Sequence, residues 1–154
     1  MNRSAAREIA VHLIYAARVS GEPVDEILSF RLDESRFAEL AEDVPVYADP
    51  PSAKQRRYIE ASVRGVFEKL EELDGYISEL SVGWNLNRIS RLARVILELA
   101  MYEALYAPDV PPNVAIHEAV LLAQKYEETD TVAFVNGILG AFSRKYVGAG
   151  ESEP

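Results

Sequence analysis

His117 followed by Glu118 opens the pattern of a zinc-hydrolase helix, but the position four residues on, where a second histidine would share the ion, is Leu121. His12 is the only other histidine and cysteine is absent, which removes disulfides, thiolate metal sites and cysteine nucleophiles together. Two histidines are too few for a histidine-built metal site. No Gly-x-Ser-x-Gly elbow, phosphate-cradling loop or dinucleotide fingerprint occurs. Carboxylates are plentiful, yet Glu68, Glu71, Glu72, Glu127 and Glu128 read as solvated helix faces rather than acid–base pairs. His12 lies one residue off an apolar stripe and reads as a half-buried packing residue. The expectation is a protein with no catalytic residue, no metal and no cofactor.

Cations and aromatics offer a different chemistry, that of anionic polymers. The net charge of −9 opposes a general nucleic-acid binder, because phosphate contacts need lysine and arginine. The distribution is uneven: residues 1–21 sum to +2, 22–49 to −7, 50–94 to +2 and 95–154 to −6. Positive groups cluster at Arg3, Arg7 and Arg18, at Lys54, Arg56 and Arg57, and at Arg88, Arg91 and Arg94. A small basic face on an acidic protein fits this map, and so does plain solvation of helix surfaces.

The elements that must carry these groups are helical. Ala6, Ile9, Ala10, Leu13 and Ala17 form one stripe, ended by Gly21 and Pro23. Residues 23–41 have poor periodicity and predict two short helical pieces. The run Val44–Pro51 cannot propagate a helix, since proline lacks the N–H donor and restricts its predecessor. Ser52 then serves as an N-cap. From 53 to 80 the steps Ile59, Val63, Val66, Phe67, Leu70, Leu73, Ile77 and Leu80 predict one helix of seven turns, broken at Gly83. A turn and short helix follow over 84–89. Further helices span 91–106, from Pro112 to about Tyr126, and a last one capped by Asp130. In that last helix Gly137 costs about 1 kcal/mol relative to alanine, which predicts close approach of another backbone. The fold class is all-α with about seven helices. The proline-bearing stretch 43–52 separates two helical subdomains, about 1–50 and 51–147, and 148–154 reads as a disordered tail. No apolar run approaches the roughly 20 residues needed to cross a bilayer, and the N-terminus lacks a signal-peptide core, so the cytoplasm is the expected location.

Four strings have more character than generic helix: Ala6-Arg7-Glu8 with Tyr15, Ile96–Glu103, Asp109–Val120, and Phe134-Val135-Asn136-Gly137-Ile138-Leu139. In this order and spacing the chain, over roughly 3–147, resembles the NusB family of bacterial transcription antitermination factors. The resemblance implies an all-helical protein of two packed subdomains and no enzymatic activity. Its implied partners are boxA single-stranded RNA, the ribosomal protein NusE and the transcription elongation complex. It leaves monomer and homodimer both open.

The family's RNA-contacting positions fall here on Arg3 and Arg7, with Ser4 and Ala5 where further arginines are common, and on Tyr15, Lys125, Tyr126, Asp130 and Phe134. Aromatics among cations suit single-stranded RNA, because every base has a face to stack. Tyr126 and Phe134 also fit core positions, so packing and RNA contact stand side by side for both. Ala93, Glu98 and His117 depart from the family pattern: an acidic residue, an arginine and an asparagine are usual there. Two other readings compete. One is a helical scaffold that kept the fold and lost RNA affinity. The other is the helical module of a ribosomal RNA methyltransferase, which would require this chain to be a piece of a longer one.

Overall fold

The computed structural model describes residues 1–85, 87 and 89–148. The expected tail beyond 148 lies outside the described residues, as do Leu86 and Arg88 in the expected short helix. Among the described residues there are eight α-helices and no strand, against the expected about seven. The additional helix comes from the 53–80 pattern, which divides into α4 (Ala53–Glu68) and α5 (Leu70–Leu80). Lys69 interrupts them at φ −105°, ψ 12°. No glycine or proline causes this break. It falls beside the boundary between two compact units, Met1–Phe67 and Glu68–Pro154, so the two helices belong to different cores. The division thus lies well beyond the proline-bearing stretch.

In the first unit, α1 (Arg3–Ser20) begins where Asn2 accepts a hydrogen bond from the Ala5 N–H at 2.8 Å and ends at Gly21, whose φ of +73° lets the chain reverse. Its expected stripe of Ala6, Ile9, Ala10, Leu13 and Ala17 is buried. The two short pieces appear as α2 (Val24–Arg31) and α3 (Glu34–Ala41), parted by Asp33, which caps α3 through the Arg36 N–H. The connection that prolines keep from being α-helical contains a 3-10 turn, Pro45–Tyr47, and it is no mere linker. Tyr47 is fully buried, edge-on to Phe37, and shares a 2.9 Å hydrogen bond with Nδ1 of His12. His12 is thereby a half-buried packing residue. Burial pushes the Tyr47 phenol up, partly countered by Arg31. Ser52 caps α4 in a reciprocal box: its hydroxyl accepts from the Gln55 N–H at 3.2 Å, and the Gln55 side chain accepts from the Ser52 N–H at 2.9 Å. Gln55 also donates to the Met1 carbonyl, Arg56 to the Leu32 carbonyl, and Arg64 pairs with Asp25, which tie α4 to the start of α1 and to α2.

In the second unit, α6 (Arg91–Tyr106) packs against α5, α7 (Pro112–Tyr126) and α8 (Thr129–Phe142), and nine of its residues are buried. Pro112 opens α7, where its missing N–H costs nothing. Asp130 does not cap α8. The cap position is Glu128, without a side-chain bond, and Asp130 sits in the first turn, where its carboxylate accepts from the Thr131 N–H at 3.0 Å. A negative charge there still favours the helix N-terminus. Gly137 is exposed, and no backbone approaches it: a Cβ placed there would meet only the Trp84 indole at 3.6 Å, ordinary contact. A π-helical turn, Ser143–Gly148, closes the described chain. Its Lys145 and Tyr146 both bond Glu79 of α5. None of the described helices is long and apolar enough to cross a membrane.

Candidate nucleic-acid interface

The first unit contributes a cation–aromatic cluster at the start of α1. Arg3 and Arg7 are four residues apart and so share a helix face. The guanidinium of Arg3 lies 4.3 Å from the Tyr58 ring centroid and that of Arg7 lies 5.8 Å from it. A guanidinium at this distance from a ring face is attracted by the ring's quadrupole. The two arginines differ in access: Arg3 is half-buried, whereas Arg7 is only 3% exposed. Arg7 can therefore shape the cluster but offers little surface to a phosphate. Tyr15 is exposed, three turns along α1. At 100° per residue it stands about 120° round the helix from Arg3, so it is not on the same narrow face. Tyr58 escaped the sequence reading, although an aromatic directly after Arg56-Arg57 is the signal that would find it.

The second unit contributes the corner between α7 and α8. Lys125 and Tyr126 end α7, both exposed, with the ammonium 5.5 Å from the Tyr126 ring. Asp130 is exposed in the first turn of α8. Phe134 is 2% exposed and belongs to the packed layer of α8, which settles its packing role and leaves no free ring face for a base. Above it stands Trp84, edge-on at 5.1 Å between centroids and 44% exposed. The corner is pinned by Ser90, which caps α6 by accepting from the Ala93 N–H at 3.0 Å and donates to the Glu127 carboxylate at 2.7 Å. By sequence Trp84 belongs to the turn and short helix over 84–89. A lone tryptophan beside a glycine in a connection was the available signal, because connections run over the surface.

The departures from the family pattern fall in distinct settings. Glu98 and Ala93 are fully buried in α6, so the carboxyl group at 98 lies inside the protein. His117 is exposed and lines a groove between α7 and α8 with Asn113, Asn136 and Arg144. Among the described residues, no group of three or more histidine, aspartate or glutamate side chains is placed to hold a metal ion.

Known proteins match this arrangement over nearly its whole length. The family model described as "NusB family" matches residues 4–144. The transcription antitermination protein NusB of Ruminiclostridium cellulolyticum is 35% identical over 144 residues, covering 94% of this chain and 90% of that protein. Its counterpart from Acetivibrio thermocellus is 39% identical over 140 residues, covering 91% and 87%. Among solved structures, T. maritima NusB superposes with a TM-score of 0.79 at 28% identity, covering 100% of this chain and 99% of that one. A crystal structure of antitermination factors NusB and NusE in complex with dsRNA shares the fold at a TM-score of 0.72 and 24% identity, covering 94% and 97%. With the family model matching residues 4–144 and relatives of 35% and 39% identity covering more than nine tenths of it, the chain belongs to the NusB family.

Proposed function

We propose that this protein is a non-catalytic transcription antitermination factor that binds boxA-type single-stranded RNA together with NusE, within cytoplasmic elongation complexes transcribing ribosomal RNA. The observation that carries the reading is the family match across residues 4–144, joined by relatives of nearly equal length that are named for antitermination. The solved NusB–NusE complex with dsRNA adds a precedent for the partners within this fold.

The chemistry of the two clusters agrees with a modest affinity. Arg3, held against Tyr58, and Lys125, beside Tyr126, are cations paired with aromatic rings on a protein of net charge −9. Exposed charges more than about 8–10 Å apart are largely screened at physiological salt, so a local cation works despite the acidic 22–49 segment. Two or three phosphate contacts then give weak binding and a shallow salt slope of about −0.7 per phosphate. NusE supplies the remaining contacts. By reciprocity, RNA strengthens NusE binding by the same factor that NusE strengthens RNA binding.

Titrating labelled boxA RNA with this protein, with NusE and with the mixture tests the reading: the mixture binds substantially tighter than either alone. Equal affinity with and without NusE removes the cooperative reading. A scaffold with reduced RNA affinity is the second reading, favoured by the burial of Arg7. It predicts capture of NusE with no gain from RNA.

A further inference from the structure

We propose that Trp84 is a base-stacking residue for single-stranded RNA, held in place by a shelf that Phe134 and Gly137 form on α8. The inference rests on the RNA-binding function proposed above. Trp84 is the only tryptophan in the chain. Its backbone is set by Gly83, whose φ of +90° few other residues adopt, and by its own N–H, which donates to the Ser81 carbonyl at 2.9 Å. Phe134 meets the indole edge-on at an interplanar angle of 76°, a favourable arrangement of two ring quadrupoles. The benzo edge, at Cζ2, passes 3.6 Å from where a Cβ on Gly137 would be. The indole is the neighbour that a side chain at 137 would meet. This gives the exposed, helix-weakening glycine a purpose that backbone packing does not.

The ring is thus gripped along its edge by a buried phenylalanine and a glycine while 44% of the residue remains open to solvent. A preformed, laterally held indole loses little rotamer freedom when a base stacks on it, which is where a loose surface aromatic forfeits affinity. RNA is the occupant that the surroundings favour. The Ser90–Glu127 bond ties the connection carrying Trp84 to the residue after Tyr126. Tyr126 is itself an exposed ring with the Lys125 ammonium beside it. Two exposed aromatics and a cation within one compact unit match the stacking-plus-phosphate pattern of single-strand binding. Phe134 then acts through Trp84 as a positioning residue.

A lone tryptophan reports directly on its own contacts. Labelled boxA-type RNA is titrated with the full chain, alone and with NusE, while RNA anisotropy and tryptophan emission are followed together. The same mixture with W84F supplies the emission background. The expected result is quenching of Trp84 emission with the midpoint seen by anisotropy. W84A weakens RNA binding on the order of tenfold, and W84F recovers most of the loss. G137L, which sets a bulky side chain against the indole without removing it, weakens RNA binding while the circular-dichroism melt stays cooperative. RNA that binds with unchanged emission and with full affinity for W84A overturns the inference and leaves the RNA-binding function standing. Quenching by NusE alone, with W84A losing NusE but not RNA, overturns it in favour of a protein contact. Absence of RNA binding by anisotropy, with and without NusE, overturns the proposed function and this inference with it.

Discussion

Tyr76 and Tyr106 both donate to the Glu72 carboxylate at 2.7 Å, and the consequences are opposite for acid and phenol. The two donated bonds, first from Tyr106 and then from Tyr76, hold Glu72 below its usual carboxylate range. Bonding to that carboxylate pushes Tyr76 up from 10.0 to about 12. The protein keeps Tyr76 neutral where the unfolded chain ionises it, so its contribution to stability is present below pH 10 and lost as pH rises from 10 to about 12. Glu72 works the other way, contributing above the ordinary carboxylate pKa and losing that contribution as pH falls through its lowered value. Urea unfolding between pH 9 and 12 will show stability falling across this window, and Tyr76→Phe will flatten part of the fall. The same slope in wild type and variant would detach the phenol from the effect. Tyr47 supplies the second expectation at this scale. Its ring is buried and its hydroxyl is spent on His12, so Tyr47→Ala costs about 3 kcal/mol or more, read as a lowered urea midpoint.

Helices here are set by periodic burial and by caps placed where the periodicity ends. α5 shows what remains unoptimised. Gly75 lies inside that helix with nothing within 4 Å of where its Cβ would be. Glycine at such a site loses backbone freedom on folding and packs against nothing in return, so Gly75→Ala raises stability by about 1 kcal/mol. For a chain of this size that is about 2–4 °C in melting temperature. A thermal melt checks it, and a lowered melting temperature would mean that the helix needs the glycine for a reason other than space. α4 and α5 also show that an apolar stripe continuing in register does not guarantee a continuous helix. Ile59, Val63 and Val66 are buried on one side of Lys69 and Leu73 and Ile77 on the other, yet the two sets belong to different compact units.

For the whole molecule the governing quantity is how few cations the proposed RNA interface holds on an acidic chain of net charge −9. Arg3 belongs to one compact unit and Lys125 to the other. If one RNA strand engages both, Arg3→Ala and Lys125→Ala each lower the salt slope of binding by about 0.7, and the double variant lowers it by about twice that. Log affinity plotted against log salt for the four proteins, with NusE at saturation, reads this directly. A slope unchanged by either substitution removes that cation from the interface. A double variant no shallower than one of the singles would mean that the strand touches only one unit.

Sequence alone determined which residues share a helix face and where helices must end, because a period of 3.6, a proline or a left-handed glycine is a local property. The stripe of α1, the two short helices of 23–41, the Ser52 cap and the opening of α7 at Pro112 follow from such signals, and the family strings from Trp84 to Tyr146 follow from composition at fixed spacing. Tertiary structure alone decided which member of an aromatic or basic group is covered. Phe134 and Trp84 are both large, apolar and near the same strings, and only the packing of α8 buries the first and leaves the second open. Arg3 and Arg7 share a face, and only their surroundings make Arg7 the inaccessible one. Tyr47 sits in a stretch read as a connection, and Lys69 in a stretch read as unbroken helix. In each case periodicity names the side of an element but not what lies against it, and burial is a property of the neighbour as much as of the residue.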